Sequence, residues 1–169
     1  MTGPRIRAET SADREAIAAV TTAAFGKPAE ARMIEAIRRS DGFVPELSLV
    51  AELGNRVVGH VLLSYVGLGA EASVLELGPM SVAPEHQGRG IGSALVREAI
   101  RRADERGEQL VLVLGHPGYY PRFGFRPASA FGITPPDPEI HDEVFMAIPL
   151  QAYDPALRGQ VTFPPAFSN

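Results

Sequence analysis

The sequence predicts an α/β (α+β) fold in which a mixed, mostly antiparallel sheet is flanked by helices, and three observations carry that prediction. Two helical segments follow a short first strand. A hairpin signal joins two long β-rich runs, and a strand, a glycine-rich loop, an amphipathic segment and a second apolar run succeed one another between residues 73 and 114. The hairpin requires an antiparallel pair. The strand–helix–strand unit requires a parallel one, reached by a crossover.

Taken in order, Ile6 to Ala8 reads as a strand, and Thr10-Ser11-Ala12-Asp13 offers N-cap residues for a helix carrying Ile17, Val20 and Phe25 near helical spacing. Gly26-Lys27-Pro28 breaks it. Glu30 to Ser40, with Met33, Ile34 and Ile37, forms a second helix that Asp41-Gly42 ends. Leu47 to Leu53 and Val57 to Leu68 are strands joined at Gly54-Asn55, a hairpin turn in the less usual order. After the Gly69 to Ala72 turn, Ser73 to Val82 forms the next strand, interrupted by Pro79. Proline cannot donate to a ladder, so this strand bulges or loses a neighbour there. Simple alternation then places Met80 and Val82 on one face with Glu76 and Gly78.

The stripe Ile91, Leu95, Val96, Ala99, Ile100 and Ala103 marks a helix closed by Gly107, and Leu110 to Leu114 is a buried parallel strand. Phe131 to Thr134 and Val144 to Pro149 are the last strands, separated by the Pro135-Pro136-Asp137-Pro138 loop. One domain over residues 1–169 is expected, with 151–169 an extended tail or, through Val161-Thr162-Phe163, an added strand.

The functional signal is Gln87-Gly88-Arg89-Gly90-Ile91-Gly92-Ser93 running into that helix. Glycines at alternate positions let an anion approach the backbone, and the helix points unpaired N–H groups at it. Such a cradle suits a diphosphate. A triphosphate loop would need Lys-Ser or Lys-Thr after its last glycine, and the chain's one lysine is Lys27. A dinucleotide fingerprint would want glycine at Ser93 and an earlier place in the chain. The bland alternative is a plain strand-to-helix turn.

The order Gln-x-x-Gly-x-Gly after Met80-Ser81-Val82-Ala83-Pro84-Glu85-His86 resembles the acetyl-CoA loop of the GCN5-related N-acetyltransferase (GNAT) superfamily. A second block agrees. Tyr120-Pro121-Arg122-Phe123-Gly124-Phe125 resembles that family's Tyr-x-x-x-Gly-Phe segment, and together the likeness spans roughly residues 4 to 150. It implies central strands splayed at Pro79, with the pantetheine arm inserted between them against the backbone of Met80, Ser81 and Val82. It also implies a diphosphate on the amides of Gly88, Arg89, Gly90, Ile91, Gly92 and Ser93, with the Gln87 and Arg89 side chains nearby.

The resemblance further implies a direct acetyl transfer from acetyl-CoA to a primary amine in a ternary complex, with Tyr120 protonating the departing thiolate. Tyr119 competes for that role, either tyrosine can be plain packing, and Phe123 and Phe125 read as core. For the base, Glu76 lies on the strand where some members carry a glutamate; its bland reading is a solvent-facing carboxylate, and His116 or water are the alternatives. A non-catalytic acyl-CoA-binding module is the rival from another class. A dinucleotide-binding oxidoreductase is the second.

Composition narrows the rest. The chain has 169 residues, 45% hydrophobic and 21% charged, with no cysteine and net charge −4. Disulfides, thiolate zinc sites and a cysteine nucleophile are excluded within it. The dispersed basic residues predict no nucleic-acid partner, and the absence of a long apolar run predicts no membrane span. No histidine spacing suggests a metal. The expected protein is cytoplasmic, takes a small-molecule or peptide amine, and leaves a homodimer open.

Overall fold

The computed structural model describes residues 3–168. Strand β1 (Arg5–Ala8) leads through a single 3-10 turn into α1 (Arg14–Phe25), which Gly26 terminates at a φ of 72°. Helix α2 (Ala29–Arg38) follows, and then the hairpin of β2 (Phe43–Leu53) and β3 (Arg56–Leu68). Gly54 and Asn55 both have positive φ, 51° and 69°, as a two-residue turn matching strand twist requires. The reversed dipeptide therefore works, because asparagine tolerates the left-handed region. β2 begins earlier than its apolar run suggests, with a register shift between Phe43 and Ser48 that brackets Pro45.

Strand β4 (Ala72–Val82), helix α3 (Ile91–Glu105) and strand β5 (Leu110–Leu114) form the expected crossover, and β4 and β5 are parallel. Two short strands, β6 (Arg126–Pro127) and β7 (Ile133–Thr134), precede β8 (Phe145–Pro149) and β9 (Gly159–Thr162). The main path runs β1-β2-β3-β4-β5-β8-β6, antiparallel except for β4–β5, and β9 pairs with both β3 and β7. The strand expected over Phe131 to Thr134 is shorter than its β-rich composition suggests. Ala128–Phe131 is a 3-10 turn ended by Gly132, leaving only Ile133 and Thr134 extended.

Two faces of the sheet are covered. On one, the α3 stripe of Ile91, Leu95, Val96, Ala99 and Ala103 packs on Leu49, Val61, Leu63, Leu75, Leu77, Val111 and Val113. On the other, Ile17, Ile34 and Ile37 of α1 and α2 cover Val50 and Leu62. Helix α3 closes with the Glu108 N–H on the Ala103 carbonyl (3.1 Å) and the Gly107 N–H on Asp104 (3.0 Å), with Gly107 at a φ of 82°.

The feature that positions the site is the break in β4. Its pairing with β5 covers only Leu75–Leu77 against Val111–Val113, so the two strands part at Gly78-Pro79, whose peptide bond is cis. On the β3 side Leu63 opposes Leu77, yet Val61 opposes Met80, so one extra residue is inserted in β4. The bulge corrects the expectation from alternation. Met80 and Val82 share the α3 side with Leu77, and Glu76 faces the opposite side with its cross-strand neighbour Ser64.

Gly78 has a φ of 132°, and no atom lies within 4 Å of the place a β-carbon would take, so conformation and not space demands glycine there. Gly78→Ala is expected to destabilise the fold by roughly 1–3 kcal/mol. Chemical denaturation of the two proteins checks this; an unchanged midpoint would show that the bulge can rearrange freely.

Candidate functional site

A cavity of about 490 Å³ opens where β4 leaves β5 and α3 begins. Its walls contain Met80, Ser81 and Val82 from β4, Gln87, Gly88, Gly90, Ile91, Gly92 and Ser93 from the loop and first turn of α3, and Ala24 and Phe25 from the end of α1. Met80, Ser81 and Val82 pair with Val61, His60 and Gly59 of β3 on one side and with no strand on the other. Their outward backbone groups face the gap. Gly88 and Gly90 stand at φ of 77° and 84°, which turns the chain so that the first α3 amides point into the same space. The first intrahelical bond here is from Ala94 N–H to the Gly90 carbonyl (3.0 Å), so the N–H groups of Ile91, Gly92 and Ser93 have no acceptor within the helix.

The structure thus brings together the strand and loop segments that the sequence singled out, with two refinements. Arg89 belongs to the loop, but its exposed side chain is not part of the cavity wall. Gln87 donates from Nε2 to the Val82 carbonyl (2.9 Å), so its amide ties the loop back onto β4. Ser81 is pinned from behind, its hydroxyl 3.3 Å from that of Thr21 on α1.

Neither Tyr120 nor Glu76 lines this cavity. The Tyr120 ring lies against Gly115, just past β5, where a β-carbon would come within 2.4 Å of Cε2. Gly115 is glycine for that close approach. Tyr120 is 8% exposed, and burial, reinforced by Tyr119 and Glu76, pushes its phenol up to about 12, so it holds its proton through the physiological range. Glu76 sits in the middle of β4 between two paired strands and is 3% exposed, which rules out the solvent-facing reading. Burial pushes its carboxyl up to about 8, opposed by the Leu114 backbone N–H. Its Oε1 and the Ser64 Oγ across the strand are both buried without a partner among the described residues. His116 is exposed and lies on the other side of the β5 end, in a shallow recess with Leu114, Pro117 and Val144.

Sequence reasoning missed part of the cavity wall. Tyr119, set aside in favour of Tyr120, reaches it: its hydroxyl lies 3.1 Å from Ser93 Oγ at the start of α3. Arg122 joins it there, together with His86 and Phe25. An aromatic residue next to an arginine in one short block was the available signal, but its direction depends on the 3-10 turn Tyr120–Phe123. Among the described residues no group of three or more acidic, histidine or cysteine side chains is placed to hold a metal ion.

The model of the Acetyltransferase (GNAT) family matches residues 14–125. The chain is 36% identical over 155 residues to the uncharacterized N-acetyltransferase YjhQ of Escherichia coli, covering 88% of this chain and 86% of that protein. The structure of Escherichia coli YhbS, a GNAT family N-acetyltransferase in complex with CoA, superimposes with a TM-score of 0.91 at 26% identity, over 100% of this chain and 94% of that one. A GNAT family acetyltransferase from Brucella melitensis in complex with acetyl-CoA does so with a TM-score of 0.79 at 33% identity, over 97% of each chain.

The Glu76 carboxyl carries a consequence for stability. Its folded value of about 8 lies above the ordinary 4.5, so unfolding releases a proton between those limits and stability falls as pH rises from about 4.5 to about 8. Glu76→Gln should remove this component, making the protein relatively more stable than the parent at pH 8 than at pH 5. Thermal unfolding across that window checks it; parallel curves would mean that Glu76 ionises normally.

Proposed function

Because the chain belongs to the acetyltransferase (GNAT) family, with a fold whose relatives hold CoA, we propose that it is an N-acetyltransferase moving an acetyl group from acetyl-CoA directly to a primary amine in a ternary complex. The observation that carries this reading is the meeting of the glycine loop with the unpaired edge of Met80–Val82 in one cavity. The amides of Gly88 to Ser93 suit the diphosphate. The free edge of β4 suits the amide-bearing pantetheine arm as an added strand, and a β4 N–H is a donor for the oxyanion formed as the amine attacks the thioester carbon.

In this reading Tyr120, protonated throughout the working range, gives its proton to the sulfur as the C–S bond breaks. Glu76 takes the proton that the amine loses, either directly or through water. Its raised value suits a base working near neutrality, since it is half ionised at about pH 8. The acceptor is a small-molecule or peptide amine. One observation favours a second reading, an acyl-CoA-binding module without turnover: neither Tyr120 nor Glu76 reaches the cavity wall.

A panel of primary amines, followed by release of free thiol, separates the two readings. Thiol release with any amine supports transfer, and tight acetyl-CoA binding without it supports the module. For a responsive amine, Tyr120→Phe is expected to lower kcat about 10²- to 10⁴-fold with little change in acetyl-CoA affinity. A parent-like kcat would make Tyr120 a packing residue. Gly115→Ala should act in the same direction by displacing that ring, and a variant with normal kcat and normal stability would contradict the contact.

A further inference from the structure

Beyond the loop amides, the cavity wall carries one arginine, Arg122, and its setting is unusual for a surface cation. Its Cζ lies 4.4 Å from the centroid of the Tyr119 ring, its Nε donates to the Tyr119 carbonyl (2.9 Å) and its Nη2 to Gly118 (3.4 Å). The guanidinium is therefore held in place from two sides. The same Tyr119 places its hydroxyl 3.1 Å from Ser93 Oγ, fixing the arginine-bearing turn against the start of α3.

A second arginine mirrors this arrangement. Arg97, one helical turn beyond Ser93, sits with Cζ 5.1 Å above the Phe123 ring, which itself packs edge-on against Tyr119 at 5.3 Å. Neither guanidinium has a carboxylate partner among the described residues, whereas Arg101, Arg102 and Arg106 are ion-paired to Glu98 or Glu46. In a chain of net charge −4, two aromatic-seated arginines left without acidic partners beside an anion cradle are complementary to further negative charge.

We infer that Arg122, assisted by Arg97, forms a second phosphate clamp that grips a phosphate of the acyl-CoA headgroup, in the first place the 3′-phosphate that the glycine loop leaves unserved. The inference rests on the acetyl-CoA reading of the cavity. A single loop and helix start supply amides for one diphosphate. The 3′-phosphate is a separate dianion on the ribose, and a guanidinium pre-oriented by stacking matches it with paired N–H donors at little entropic cost. Nothing in this role requires Arg122 to touch the reacting carbon.

Calorimetric titration of the full chain with CoA and with 3′-dephospho-CoA tests it. The parent is expected to bind CoA more tightly, and R122A should weaken CoA by about tenfold while leaving 3′-dephospho-CoA nearly unchanged. R97A/R122A should abolish the preference, and R122K, which keeps the charge without the fork, should fall between. Retained 3′-dephospho-CoA binding shows in the same experiment that the variant is folded. Equal loss for both ligands, with R122K partly rescuing both, places the clamp on the diphosphate instead. If R122A and R97A/R122A bind CoA as the parent does, the inference is overturned. Failure of the parent to bind either ligand would instead overturn the acetyl-CoA reading itself.

Discussion

The architecture depends on one missing hydrogen-bond donor. Pro79 carries no N–H, and with Gly78 it ends the β4–β5 ladder after three residue pairs while β3 remains paired on the other side. A strand edge is usually at the rim of a sheet, where it invites aggregation. Here an edge is opened inside the sheet, between two strands that are otherwise neighbours, and the start of α3 is delivered to the same gap. The segment Ala83 to Gly90 is short, so the helix cannot begin elsewhere, and Gln87 anchors it to the last β4 carbonyl. Strand edge and helix terminus are the two places where a fold leaves backbone groups unsatisfied, and this fold places them face to face.

The polar side chains behind the gap are costly to bury, and their placement is correspondingly specific. Glu76 Oε1 and Ser64 Oγ, on neighbouring strands, are buried without a partner among the described residues, while Tyr120 is wedged on the only kind of residue that leaves room for it. A second buried polar group lies further along β3. Glu9 accepts from Arg38 Nε (2.8 Å), and Ser48 Oγ lies 2.9 Å from His60 Nε2. The Glu9 carboxyl is held down at about 2: burial alone would raise it, but the nearby His60 ring, the Arg38 guanidinium and the Ser48 hydroxyl outweigh that. This cluster ties the end of β1 to β2, β3 and α2, with only His60 Nδ1 left without a partner among the described residues. At Glu76 no cation stands beside the carboxylate, so burial raises its value where the Glu9 value is lowered.

Much of this was legible from residue order. The hairpin, the crossover, the apolar stripe of α3 and the break at Pro79 each follow from a local rule, and the glycine loop announced the cradle. What was hidden depended on register and on short irregular turns. Alternation along β4 failed because it assumes an unbroken count, and the inserted residue at the bulge reverses the parity for everything after it. The burial of Glu76 was hidden because a lone carboxylate in an apolar strand looks the same whether its face is open or covered. The place of Tyr119 and Arg122 on the cavity wall was hidden because the 3-10 turn at Tyr120–Phe123, and not a regular helix, decides where their side chains point.

The bulge also divides responsibilities along a single strand. Upstream of Gly78, β4 presents Glu76 to one side of the sheet; downstream, it presents Met80 and Val82 to the other. A change at Glu76 therefore acts on the side of the sheet away from α3 and leaves the Met80 and Val82 wall in place, and a change at Met80 or Val82 leaves the Glu76 face in place. The inserted residue decides which of these positions share a face, so a deletion at the bulge would exchange the two sets rather than merely shorten the strand.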